Sequence, residues 1–501
     1  MNRASATNKK LKIAFIHPDL GIGGAERLVV DAAIGLQEQG HEVVIYTSHC
    51  DRSHCFEEIK SGLLKVKVYG DELPTNFLNK FYIVFANLRQ LYLILQLYLK
   101  RKVNQHDLYI TDQLSTCMPF LHMVSRARLM FYCHFPDQLL AQRTNLAKKL
   151  YRVPFDLFEQ FTMSAADCVV VNSNFTKSIY HKTFPFLREE PDIIYPCVDL
   201  SFQPVESIDQ EFLAGLLPSH QRFYLSINRY ERKKNILLAL ESYALSSESD
   251  DINSKLIISG GYDQRVAENV DHLQELQKAA DRLKLSHTTI FYPEFRRSND
   301  LNNSQALTSK VIFLTSISSS LKELLLSKME LLLYTPSFEH FGIVPLEAMK
   351  HGKPVLAVNT GGPLETVEHL ITGVNENEAT GWLESPNPKS WAKAIEEFKL
   401  VTRSRNVNFK RNGLKRVEKY YSRDAMTQSF ERNIDKTISK ERTTYFWKTF
   451  FVGLLNFALH LAFEFTLGDQ IWPYIGMLVI MGGYFRSIFV IFWLVQTLSK
   501  I

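Results

Sequence analysis

Two glutamates, Glu339 and Glu347, stand eight positions apart in the segment Ser337-Phe338-Glu339-His340-Phe341-Gly342-Ile343-Val344-Pro345-Leu346-Glu347-Ala348-Met349. Pro345 suits the first turn of a helix and Gly352 its end, so Glu347 falls on that helix and Glu339 in the loop before it. Gly342 permits close approach of backbone to a ligand, and the first amides of a helix can meet a phosphate. One carboxylate beside a sugar and a second, a turn or two deeper, beside a ribose is the chemistry such a segment could perform. Glutamates are common on surfaces, however, and the spacing alone does not establish that use.

Three further segments carry groups of the right type. The run Asn228-Arg229-Tyr230-Glu231-Arg232-Lys233-Lys234-Asn235 is strongly basic and, by itself, reads as a solvated turn. Asp19-Leu20-Gly21-Ile22-Gly23-Gly24-Ala25-Glu26-Arg27 joins a strand pattern to a helix pattern. It lacks the G-x-G-x-x-G of a dinucleotide fold, and a tight strand-to-helix connection explains it equally well. His134, in Phe131-Tyr132-Cys133-His134-Phe135-Pro136-Asp137-Gln138, ends an expected strand, with Asp137 a lesser candidate. A buried structural histidine and a site histidine both stay open at this point. No Asp-x-Asp metal motif occurs in a suitable place, and His49, Cys50, His54 and Cys55 read better as a polar loop than as a metal site.

The elements that must position these groups follow from hydrophobic periodicity. Residues 12–16, 42–47, 108–111, 128–134 and 168–172 read as strands, and 25–39 as an amphipathic helix capped by Gly40. After a proline-containing connector at 194–204 a second series begins, with strands expected at 223–228, 255–259, 289–291, 329–334, 354–358 and 381–383. Strands alternating with helices mean parallel pairing in doubly wound sheets. Two such halves place the ligand cleft between them. The expected domains are therefore 1–204, an acceptor-side Rossmann-like domain, and 205–425, a donor-nucleotide-binding Rossmann-like domain. A return helix or linker at 426–445 and an apolar tail at 446–501 follow.

Composition narrows the class. With 501 residues and 46% apolar side chains the chain builds about two cores and is not largely disordered. A net charge of +5 falls far short of a nucleic-acid-binding signature, although it suits a surface facing phosphates or anionic lipid. The polar start and the short apolar run after it do not make a signal peptide, so the six cysteines are expected to be reduced. Residues 446–468 and 471–495 each reach the roughly 20 apolar residues that cross a bilayer. Lys448, His460, Glu464, Pro473 and Arg486 interrupt them, which a re-entrant hairpin or interfacial helices would tolerate better than simple spans. Residues 81–102, interrupted by Asn87, Arg89 and Gln90, read as a helix of the first domain with a lipid-facing side.

The glutamate segment resembles the E-x7-E donor motif of retaining GT-B glycosyltransferases, glycosyltransferase family 4 in particular. That resemblance implies that Glu339 contacts the donor sugar and Glu347 the nucleotide ribose, with the amides of Phe341, Gly342 and Ile343 at the sugar and diphosphate. The family places an arginine and a lysine five apart to clamp the diphosphate, which implies that role for Arg229 and Lys234. Fixed cations there would balance the charge that builds as the diphosphate leaves. Lys233 takes the place of Lys234 if the loop register differs. By the same resemblance Gly23 and Gly24 face the diphosphate, Thr360-Gly361-Gly362-Pro363-Leu364-Glu365 belongs to the donor domain's pattern, and His134 lies near the donor sugar.

Residues 13–27, 132–137, 195–199 and 336–345 are similar, more narrowly, to the GDP-mannose-dependent α-1,3/1,6-mannosyltransferases of the dolichol pathway. That implies GDP-mannose as co-substrate, no cofactor and no required metal. It also implies a dolichyl-diphosphate-linked oligosaccharide acceptor, other dolichol-pathway glycosyltransferases as partners, and no nucleic acid. The location implied is the endoplasmic reticulum membrane, with the catalytic domains cytosolic. Other readings remain open on the residues alone: a phosphatidylinositol glycosyltransferase sharing the donor motifs, an inactive sugar-nucleotide-binding subunit, and a nicotinamide-dependent oxidoreductase. The last lacks its glycine fingerprint.

Overall fold

The computed structural model describes residues 10–77, 81–140, 156–185, 187, 189–202, 204–218, 220–298, 304–404, 406–443 and 447. The chain divides into two compact units. Unit 1 comprises the chain up to Asn172, Thr176–Ile194 and the chain from Thr427; unit 2 comprises Ser173–Phe175 and Tyr195–Met426. The expected apolar tail at 446–501 lies, apart from Trp447, outside the described residues.

Unit 1 is built on seven strands: β1 (Lys12–Asp19), β2 (Glu42–His49), β3 (Val66–Val68), β4 (Leu108–Asp112), β5 (Arg128–Cys133), β6 (Cys168–Val171) and β7 (Asp192–Ile193). Their order across the sheet is β3-β2-β1-β4-β5-β6-β7, with every pair parallel. Crossover helices on both faces bury parallel strands, so β4 and β6 are covered along their whole length and read as near-continuous apolar runs. The order in which successive strands are added across the sheet reverses at the β1/β4 pair. Ligands of doubly wound sheets bind outside the carboxyl ends of such strands.

Unit 2 repeats the plan with β8 (Arg222–Ile227), β9 (Ser254–Gly260), β10 (His287–Phe291), β11 (Val311–Thr315), β12 (Leu331–Tyr334), β13 (Val355–Val358) and β14 (Gly381–Glu384). The order is β10-β11-β9-β8-β12-β13-β14, again all parallel, and here the switch falls between β8 and β12. Alternate residues feed two cores. Leu225, Ile257, Ile312 and Leu332 face one, and Tyr224, Leu256, Phe313 and Leu333 the other. The sequence expectations omit β3, β7 and β11. Fully buried Val311–Thr315 is a short apolar run whose periodicity does not separate strand from buried helix.

The apolar stretch near residue 90 forms the helix Tyr82–Leu99, which packs on β1, β2 and the helix Met118–Val124. It is long and apolar enough to cross a membrane by length and composition. Its polar interruptions point inward. Arg89 donates to the carbonyls of Gly70 and Ser48, at 3.0 Å each, and Gln90 to that of Leu114 at 2.8 Å. Apolar side chains, among them Tyr82, Leu88, Leu95 and Leu99, face outward instead.

Candidate functional site

In unit 2 the loops that leave β8 and β12 meet at the switch point. After β8 the chain enters a short 3-10 turn, Arg232–Lys234, and Asn235 in the left-handed region (φ 49°) redirects it into the helix Ile236–Leu245. That turn sends Lys233 and Lys234 opposite ways. Lys233 is 73% exposed and pairs with Glu231 at 3.1 Å, whereas Lys234, 18% exposed, places Nζ 2.8 Å from Oε2 of Glu339. Thr335, just past β12, donates to the Lys234 carbonyl at 2.7 Å and so locks the two loops together. Arg229 is not drawn in: it is 72% exposed, with Nη1 3.7 Å from Glu231.

Glu347 lies on the helix Val344–Lys350, whose Pro345 sits in the first turn. Its Oε1 accepts from Lys322 Nζ at 2.7 Å, while Oε2 is buried with no hydrogen-bond partner among the described residues. A buried carboxylate oxygen without a donor is costly and is the natural seat of a ligand hydroxyl. Tyr334 ends β12 beside both glutamates: burial first, then the charges of Glu339 and Glu347, push its phenol well above the ordinary range.

The backbone between the two glutamates is shaped by close approach. Gly342 has φ 80°, and a Cβ there would stand 3.1 Å from the Tyr334 hydroxyl. Gly361, at φ 70°, lies so near the Glu339 backbone that a Cβ would come within 2.6 Å of its carbonyl oxygen. The Gly362 amide then donates to that carbonyl at 2.7 Å. The Phe341 side chain is buried, stacked on Tyr195 at 5.8 Å, and Ile343 caps the helix half-exposed. The amides of Phe341, Gly342 and Ile343 have no acceptor among the described residues. Glu365 has a structural post: it accepts from the amides of Asn174 and Phe175 and from the Tyr195 hydroxyl, each at 2.9 Å.

Unit 1 brings its candidates to the carboxyl ends of β1, β4 and β5. Gly23 caps the helix Gly24–Glu38 in an extended conformation, and the Gly23 and Gly24 amides have no acceptor among the described residues. Arg27 is taken up by Asp31 and by Glu58. His134 follows β5 directly and is 19% exposed; its Nε2 lies 2.9 Å from Oδ2 of Asp112 at the end of β4. The other Asp112 oxygen is 2.8 Å from Nδ1 of fully buried His17 on β1. Burial alone would push His17 down, but the Asp112 carboxylate more than offsets this and raises it to about 10. Asp112, despite burial, is held down at about 2 by His17 and His134. Asp137 opens the next short helix, its amide donating to Glu159 at 2.8 Å.

Lys234 and Glu339, both singled out in the sequence, pair in the structure; Lys322, which pairs with Glu347, and His17 and Asp112, which lie beside His134, are not singled out there. Lys322 sits on an unremarkable amphipathic helix, Ser319–Lys328, and nothing in its local sequence marks it. His17 and Asp112 carried a signal, each being a polar residue at the end of an apolar strand run. Among the described residues no group of three or more His, Cys, Asp or Glu side chains is placed to hold a metal ion.

Residues 22–202 match the family Glycosyltransferase Family 4, and residues 207–416 match Glycosyl transferases group 1. The chain is 61% identical over 485 residues to Alpha-1,3/1,6-mannosyltransferase ALG2 of Saccharomyces cerevisiae, covering 97% of this chain and 96% of that one. It is 45% identical to the enzyme of the same name from Schizosaccharomyces pombe, covering 87% and 82%. Among solved structures, sucrose-phosphate synthase from Thermosynechococcus elongatus superposes with a TM-score of 0.62 at 18% identity, over 85% of this chain and 99% of that one. Anabaena Alr3699/HepE, solved with UDP, gives 0.59 at 18% identity, over 85% and 100%. These likenesses carry the fold, two Rossmann-like domains of the GT-B class, and the sequence relatives carry the family: the chain belongs to the α-1,3/1,6-mannosyltransferases of glycosyltransferase family 4.

Proposed function

We propose that this mannosyltransferase takes mannose from GDP-mannose and adds it, α-1,3 and then α-1,6, to a one-mannose dolichyl-diphosphate chitobiose acceptor on the cytosolic face of the endoplasmic reticulum membrane. The observation that carries the donor assignment is the paired arrangement at the β8/β12 switch, Lys234 on Glu339 and Lys322 on Glu347, beside three unengaged amides. Each cation is half-buried against a carboxylate it can exchange for a phosphate oxygen. In this reading Lys234, joined by Arg229, holds the diphosphate as it leaves. Glu339, released from Lys234, lies against the sugar, where positive character develops on the anomeric carbon. The orphaned Oε2 of Glu347 accepts from a ribose hydroxyl. Gly23 and Gly24 offer amides to the diphosphate, and His134 contacts the donor sugar. Attack on the same face as departure, through an oxocarbenium-like state, retains the α configuration, and no metal or other cofactor enters the scheme.

Membrane attachment in this reading uses the outward apolar residues of Tyr82–Leu99 together with the tail at 446–501. Other glycosyltransferases of the same pathway are the partners it implies. Purified full-length protein, GDP-mannose and a synthetic one-mannose dolichol-type acceptor, followed by linkage analysis, test the proposal. Formation of α-1,3 and then α-1,6 products supports it; transfer only from another sugar nucleotide, or only to phosphatidylinositol, overturns it.

A further inference from the structure

Across the carboxyl ends of β1, β4 and β5 runs a buried chain of ionisable groups with no part in the scheme above except at its last member. It begins at Glu26 in the first turn of Gly24–Glu38, whose Oε1 is 3.7 Å from Nε2 of His17. His17 pairs through Nδ1 with Asp112, and Asp112 pairs with Nε2 of His134. The ring of Tyr132, tilted 4.8 Å from that of His134, closes one side, its hydroxyl committed to the Ile194 carbonyl at 2.7 Å. His134 Nδ1 has no hydrogen-bond partner among the described residues.

We propose that Asp112 is a positioning residue for the transfer reaction: it accepts the Nε2 proton of His134 and thereby fixes the tautomer in which Nδ1 is the open acceptor, while His17 supplies the counter-charge that allows a carboxylate to be buried there. The inference rests on the reading of His134 as a contact of the donor sugar. An ionised carboxylate can only accept, so the nitrogen facing it must carry the proton and the other ring nitrogen of a neutral imidazole must be bare. A carboxylate that is 3% exposed cannot stay ionised unpaired, and His17, wholly buried, is the cation that meets it. Glu26 on the far side of His17 links the arrangement to the glycine loop, since a side chain at Gly23 would collide with its carboxylate. The result is an imidazole with fixed orientation and fixed polarity, able to accept from a sugar hydroxyl but not to donate to it at Nδ1.

Asp112→Asn is the discriminating change, because an amide can turn its N–H toward Nε2 and reverse the tautomer while keeping shape. The measurements are kcat and donor Kd of the full-length protein for Asp112→Asn, His134→Ala and the double variant, with Asp112→Glu as the conservative comparison. We expect Asp112→Asn to lower kcat about 10–100-fold, the scale for losing a hydrogen-bond partner that orients a liganding histidine, with donor Kd little changed. Asp112→Glu should recover part of that loss, and the double variant should be no worse than His134→Ala alone. Losses that multiply in the double variant overturn the positioning role while leaving His134 in the site. Full activity of His134→Ala on both mannose additions overturns the His134 reading and this inference with it. A readout free of activity is the nitrogen-15 signature of His134 in histidine-labelled protein. The Nε2–H form is expected in the wild type, so the Nδ1–H form there overturns the inference even if Asp112→Asn fails to fold.

Discussion

The two switch points of the molecule carry opposite kinds of electrostatics. At β1/β4 the charges are sealed: His17 and Asp112 have almost no exposed surface and face one another in a medium that screens little. At β8/β12 Lys234, Glu339, Lys322 and Glu347 keep between about a fifth and a third of their side-chain surface open. Sealed charges cannot change partners without a large desolvation cost, so the first group suits permanent orientation of a neighbour. Partly open pairs exchange partners cheaply, which suits capture and release of a charged ligand. The same fold, used twice, thus holds one sealed and one partly open set of charges, and the difference lies in how deeply each carboxylate is placed.

The largest expected effect lies at the partly open pairs. Lys234→Ala is expected to lower the transfer rate about 10²–10³-fold, the scale for removing a group that meets developing charge. Glu339→Gln should lower kcat with less effect on donor affinity, on both mannose additions if one site serves both. Pre-steady-state transfer and donor binding measured separately check this, and wild-type kcat in either variant would break the assignment. Next comes Glu347→Gln, where ground-state binding is lost: donor Kd should rise roughly 10-fold or more, as for a hydrogen bond to a charged group, with kcat changed less. Calorimetric titration of GDP-mannose reads this, and the opposite split would exchange the roles of the two glutamates.

The sealed site should show itself in stability. His17 is raised from 6.5 to about 10, so its contribution is complete below pH 6.5 and is lost as pH climbs toward 10. Asp112 is lowered from 3.8 to about 2, so its contribution is complete above pH 3.8 and is lost as pH falls toward 2. Thermal unfolding should therefore give a higher Tm near pH 5–6 than near pH 9, and His17→Gln should flatten the alkaline side. An alkaline slope identical in the variant would show that the pair does not carry it. The smallest effect is that of salt: raising ionic strength should weaken donor binding at the partly open pairs but leave the alkaline slope of Tm unchanged, since buried pairs are screened much less.

Much of this architecture was readable along the chain, for a physical reason that differs from one segment to the next. Glu339 and Glu347 announce themselves because a loop and the helix it enters are contiguous, and Pro345 and Gly352 mark that helix. The sequence favours Lys234 but admits Lys233, because a one-residue turn of register is set by Asn235 and by the Thr335 hydroxyl arriving from another strand. The helix Tyr82–Leu99 was expected, yet its inward Arg89 and Gln90 acquire meaning only when the loops they hold are folded against them.

By itself the sequence determined the two doubly wound halves, the placing of Glu339 in a loop and Glu347 on the helix it enters, and the membership of the family, since these rest on local periodicity and on motifs whose residues are neighbours in the chain. Tertiary structure alone decided the pairings. Asp112 reaches His17 across 95 positions, and Lys322 reaches Glu347 from a separate helix 25 positions away. It also decided which carboxylate is sealed and which remains open. Burial is a property of the packed layers on either side of a sheet, and no single segment of chain carries it.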